Sequence, residues 1–213
     1  MKRLERRRQQ AEDRFGILLL LIVGAFVMLG FADSSWARFL AAALQVAALA
    51  VGFLATRLHK DHRWLGLLTI VAVASIVLIA VGGDTASGIS EVASAVILGG
   101  LLVAVLDRVL RHEHVTIQTL FGAVCAYFLI GLMFSAVYGA LNDFGDMPVF
   151  GQPVERSVFS YFSFTTLTTV GYGDFTSVTD IGRRIAMIEG VLGQVFMATT
   201  LARLVSLYKS GGR

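Results

Sequence analysis

Thr168-Thr169-Val170-Gly171-Tyr172-Gly173-Asp174 is the stretch from which the rest of this chain is read. Gly171 and Gly173 alternate with bulkier residues, and glycine takes positive φ at no steric cost. An ordinary strand sends successive residues to opposite faces. Left-handed residues at every second position instead turn consecutive carbonyls to one side. Thr169 can add a hydroxyl as well as a carbonyl at one end of the row. Glycine-rich turns are common by themselves, so the flanks decide. Here the order is a long apolar run (Val115–Leu141), a polar loop, a short apolar-aromatic helix near Val154–Leu167, the glycine loop, and a second long run (Ile185–Leu207).

Composition says what surrounds such a loop. The chain has 213 residues, 56% hydrophobic and only 15% charged, with a mean hydropathy of +0.74. A soluble domain of this size cannot hide that much apolar surface. A bilayer core of roughly 30 Å takes about 20 helical residues. Six runs fit: Phe15–Phe31, Trp36–Ala55, Trp64–Val81, Gly88–Leu106, Val115–Leu141 and Ile185–Leu207. Val154–Leu167 is too short to cross and fits a re-entrant helix. Helices are required, because a lone strand leaves amide groups unsatisfied in lipid. The expected fold class is therefore an all-α membrane protein.

A sequence pI near 9.3 would suit a nucleic-acid binder. The basic residues, however, sit in short loops between apolar runs, which points to membrane topology. With the N-terminus inside, 14 of the 18 Lys and Arg fall in inner segments and 4, namely Arg38, Arg156, Arg183 and Arg184, in outer ones. Both termini are expected to be cytoplasmic, and the re-entrant segment to face outward. Gly30-Phe31-Ala32 resembles a signal cleavage site, but the apolar stretch before it is longer than usual, so the span is expected to stay. Pro153 suits the first turn of the short helix.

A bare potassium ion must exchange its water shell for oxygens of similar field strength, and converging backbone carbonyls supply them. Thr169-Val170-Gly171-Tyr172-Gly173, set between two spans, resembles the signature of the potassium channel family, and the stretch from Gly173 to Arg183 is similar to that family's passage from filter into inner helix. The resemblance covers roughly Val115 to Tyr208. It implies a homotetramer in a cell membrane, with potassium ions bound by Thr169, Val170, Gly171, Tyr172 and Gly173. It also places Gly193 where the family has a gating-hinge glycine. Gln194, Met197 and Leu201, at i, i+3 and i+7 spacing, then share one helix face towards a cavity. Two features depart from some members: Thr165 stands where they have a carboxylate behind the filter, and Tyr161-Phe162 matches the aromatic pair of others. Thr168, Asp174, Tyr161 and Thr165 are expected to support the filter, with the Tyr161 hydroxyl bonded to Asp174.

Glu189 is the one acid deep within a span, so it should face protein and have a partner. It precedes Gln194 by about 140° around the helix, and is expected to meet Ser163 or Thr166 as a structural or gating brace. Gly88–Leu106 lacks basic residues, with Arg108 and Arg111 beyond its inner end. A voltage sensor repeats Arg or Lys through the span, so steep voltage dependence is not expected. Glu91, near the outer end, is expected to reach the interface. His59, His62, His112 and His114 lie in inner loops and read as surface histidines; the alternative is a cytoplasmic proton or metal sensor, although their spacings are not a strong zinc pattern. Cys125 reads as a small buried hydrophobe.

These readings divide the chain into a basic cytoplasmic lead (1–14), four helices without sensor charges (15–114) and a pore domain (115–213). The pore domain holds outer helix 115–141, pore helix 154–167, filter 168–174 and inner helix 185–207. The expected function is passive, potassium-selective conduction with membrane lipids as neighbours, no cofactor, no transition-metal site and no nucleic-acid partner. The alternatives are a weakly selective cation channel, disfavoured by Tyr172, and a non-conducting, regulatory or transporter-associated pore subunit. No nucleophile–base constellation or phosphate loop suggests an enzyme.

Overall fold

A computed structural model of the chain describes residues 14–30, 35–56, 84–110 and 117–210. Among these residues the protein is helical without strands: α1 Arg14–Leu29, α2 Ser35–Thr56, α3 Asp84–Leu110, α4 Ile117–Phe144, α5 Ser157–Leu167 and α6 Asp180–Ser210. The expected span Trp64–Val81, the four histidines and the lead before Arg14 lie outside the described residues. α3 and α4 contain stretches long and apolar enough to cross a membrane, Thr85–Leu110 and Gln118–Phe144, and α1 and α2 hold shorter apolar stretches.

α5 begins later than its composition suggests. Its first helical residue is Ser157, behind an N-cap at Arg156, so Pro153 lies ahead of the helix and not in its first turn. The reason is local. Pro148 opens a turn closed by the Gly151 N–H on the Pro148 carbonyl at 3.0 Å, with Gly151 at φ +74°. The chain then runs through Pro153 without helical bonds. It winds up only where the Val158 and Phe159 amides find the carbonyls of Glu155 and Arg156.

Two apolar clusters hold the helices together. One gathers Phe15, Leu18 and Ile22 of α1, Leu49 of α2, Ile97, Leu101 and Val105 of α3, and Cys125 and Leu129 of α4. The other joins Phe134 and Tyr138 of α4 with Val149 and Phe150 of the outer loop and Phe159, Phe162 and Leu167 of α5. α4 contributes to both, so the helices before it share one packed body with the loop and α6. Cys125 is buried as expected, its Sγ 3.8 Å from the Phe15 carbonyl.

Aromatic rings tie the outer loop down. Phe150 stacks on Phe159 and meets Phe162 and Phe175 edge-on, with centroids 5.1–5.8 Å apart; such pairs add to the area they bury. α6 starts at a local cap: the Thr179 hydroxyl oxygen accepts the Gly182 N–H at 3.2 Å, and Asp180 stands in the positive first turn.

Candidate functional site

The loop after α5 has the backbone that its glycines foreshadow. Gly171 and Gly173 have φ of +49° and +80°, and Thr169 joins them at +61°. Positive φ at a β-branched residue costs of order 1–3 kcal/mol and persists where the surroundings over-determine it. They do so here. The Thr168 amide and hydroxyl both donate to the Phe164 carbonyl, the Thr169 amide to Thr166, and the Gly171 amide to Thr165. The end of α5 is thus continued into the loop by three amide bonds, from Thr168, Thr169 and Gly171. Three alternate residues with reversed φ leave the carbonyls between them free to share one direction.

Thr165 supports this loop through its main chain, not its side chain. Its carbonyl takes the Gly171 N–H at 3.1 Å, while its hydroxyl turns back to the Phe162 carbonyl at 3.0 Å. The far end of the loop is held by side chains. The Tyr161 hydroxyl donates to Asp174 Oδ2 at 2.7 Å, and Asp174 Oδ1 accepts the Phe175 amide at 3.1 Å. The Tyr161 and Tyr172 rings lie nearly parallel with centroids 6.3 Å apart. Val170 and Tyr172 are 53% and 73% exposed.

Behind α5 lies a buried polar seam. Glu189 of α6, Tyr138 of α4 and Ser163 of α5 are each 0% exposed. The Tyr138 hydroxyl donates to Glu189 Oε2 at 2.7 Å. Ser163 Oγ lies 2.5 Å from Glu189 Oε1 and 2.7 Å from the Gly131 carbonyl oxygen. Of the two partners expected for Glu189, Ser163 is the one it meets. Tyr138, a hydroxyl inside an apolar span that must find a partner once buried, is the signal that sequence reading passed over. Helices approach closely around this seam. A Cβ on Gly131 would stand 2.6 Å from the Phe164 ring, and one on Gly193 would collide with the Leu167 carbonyl oxygen. Gly193 therefore has a packing reason at the end of α5. Gln194 and Met197 are exposed, and the side chain of Leu201 lies outside the described residues.

Glu91 does not simply reach an interface. Its Oε1 accepts from Arg156 Nη1 at 3.1 Å, and Asp143 Oδ2 accepts from Arg156 Nη2 at 2.8 Å. Burial disfavours the charged guanidinium, but the bonds and charge of Asp143 and Glu91 outweigh it and raise its pKa above the ordinary value. This knot joins the first part of α3, the end of α4 and the start of α5. At the other end of α3, Arg203 of α6 donates to the Leu110 carbonyl at 2.8 Å, where the helix terminus favours a cation. Sequence reading missed both ties, because each joins residues far apart in the chain.

Residues 151–210, from the outer loop through α5 and the reversed-φ loop to α6, match a family model described as "Ion channel". No curated protein matches the chain. The matched segment and the apolar helices together support ion-channel activity in a membrane.

Proposed function

We propose that four copies of this chain enclose a potassium-selective pore in the cell membrane, with Thr169, Val170, Gly171, Tyr172 and Gly173 as the filter. The observation that carries this reading is the alternation of positive φ at Thr169, Gly171 and Gly173. It suits a row of carbonyls that replaces the hydration shell of a dehydrated cation when several copies converge. The exposed Val170 and Tyr172 side chains and the apolar residues Met187, Val191 and Val195 left uncovered on α6 fit surface that neighbouring copies would cover. In that assembly the C-terminal end of α5 turns its partial negative charge towards the ion path. Gln194, Met197 and Leu201 line the cavity beneath, and Tyr161 with Asp174 braces the outer mouth. Potassium is the cargo, and conduction needs no cofactor.

The chain would cross the bilayer several times with both termini cytoplasmic, in contact with lipid. Conduction is expected to be weakly voltage-dependent. α3 carries Arg108 only in its last turn, and its two ends are tied to Arg156 and Arg203, whereas a sensor needs charges within the span and freedom to move them. Flux from purified protein in liposomes tests the reading. Barium-sensitive flux that prefers potassium over sodium is expected. Equal sodium and potassium flux would replace it with a weakly selective channel, and absent flux with a non-conducting subunit.

A further inference from the structure

We propose that Glu189 carries a proton and is the donor that positions the helix supporting the filter, by clamping α5 between α4 and α6. The inference deepens the filter reading and rests on it only for the purpose the clamp serves. It follows from counting protons in the buried seam. Gly131 offers a carbonyl, which can only accept. Ser163 Oγ lies 2.7 Å from it, so the single hydroxyl proton of Ser163 points there. The same oxygen is also in hydrogen-bond contact with Glu189 Oε1. A proton is needed in that gap too, and only Glu189 is left to provide it. Tyr138 spends its own proton on Glu189 Oε2. A protonated Glu189 therefore satisfies the whole seam: Glu189 donates to Ser163, Ser163 to the Gly131 carbonyl, and Tyr138 to Glu189.

An ionised Glu189 fits worse on two counts. Ser163 would have to turn its proton to the carboxylate, leaving two oxygens 2.7 Å apart with nothing between them. The anion would also be fully buried, and a buried charge without a counter-charge is costly. The charged and titratable groups nearby are otherwise engaged. From α4, the Tyr127 hydroxyl donates to the Leu167 carbonyl at 3.3 Å. From the loop before α5, Arg156 holds Glu91 and Asp143. On α6 itself, Arg183 turns to the Ser177 carbonyl, and Arg184 is exposed. Among the described residues no ion pair reaches Glu189.

The clamp matters because Ser163 lies within one turn of the residues whose carbonyls, Thr165 and Thr166, anchor the filter loop. Glu189 is thus a positioning residue. Infrared spectroscopy of the full chain in lipid vesicles tests it, comparing wild type with Glu189→Gln, Ser163→Ala and Glu189→Leu. Expected are a protonated-carboxyl carbonyl band at neutral pH, its loss in Glu189→Gln, and a shift of the band in Ser163→Ala, which removes the acceptor. Glu189→Gln keeps a carbonyl for Tyr138 and an N–H for Ser163, so it should retain wild-type thermal stability, whereas Glu189→Leu should not. If Glu189→Gln removed only a carboxylate band, or proved as damaging as Glu189→Leu, the proposal would be overturned. The band requires no ion flux, so a protein that shows it yet fails to conduct counts against the potassium reading alone.

Discussion

The loop from Thr168 to Asp174 and helix α3 are built on opposite plans. In the loop the main chain sets the shape: three reversed φ angles, three amide bonds to the end of α5, and side chains left largely exposed. In α3 the main chain is ordinary helix and the side chains decide. Ile97, Leu101 and Val105 are buried in the cluster shared with α1, α2 and α4, while polar ties fasten both ends to the later part of the chain. A strained backbone can be held in register only by rigid neighbours, and α3 belongs to the frame that holds α4 and, through Arg156, α5. On the proposed reading, α1 to α3 would support the loop rather than move past it.

Substitution at the loop should break this comparison most severely. Gly173→Ala places a side chain at φ +80°, where left-handed backbone costs about 1–2 kcal/mol per residue. Potassium-selective liposome flux should be abolished while the helices, followed by circular dichroism, persist. Normal selective flux in this variant would show that the reversed φ is unnecessary. Next in size is Gly193→Ala, whose methyl group meets the Leu167 carbonyl. Overpacking of this kind costs about 1–3 kcal/mol, read as a lowered melting temperature of the purified protein. A hinge role without tight packing would leave that temperature unchanged.

Smaller effects sharpen the picture of α3. Arg156→Gln leaves Asp143, whose side chain is only 7% exposed, without its cation. The guanidinium is itself partly solvated, so a loss of about 1 kcal/mol is expected, measured by thermal unfolding. Tyr161→Phe removes one exposed hydrogen bond to Asp174. It should leave the melting temperature alone and hasten loss of conduction during sustained flux; unchanged persistence would remove Tyr161 from the brace. The smallest effect should be that of membrane potential. Channel open probability is expected to change little with voltage in planar bilayers, and a steep change would refute the strut reading of α3.

Much of this was legible in the residues. Long apolar runs must be helical in lipid, so α1 to α4 and α6 fall within a few residues of their expected places, and the glycine loop lies where its spacing puts it. The start of α5 was misread, because Pro153 suits a first helical turn, whereas the Pro148–Gly151 turn just ahead of it delays winding to Ser157. Glu91 was misjudged for a different reason. Its partner, Arg156, stands 65 positions away, beyond the reach of any periodicity.

By itself, then, the sequence determined the helices, the loop and its glycines, and the need of Glu189 for company, because those follow from hydropathy, backbone stereochemistry and the cost of burying charge. Only the tertiary structure decided who provides that company. Tyr138 and Ser163 meet Glu189, and Ser163 meets the Gly131 carbonyl, because three helices approach closely there, and that approach depends on how whole helices pack rather than on any local pattern. The same holds for the reversed φ of Thr169, which no threonine would choose alone and which the carbonyls at the end of α5 impose.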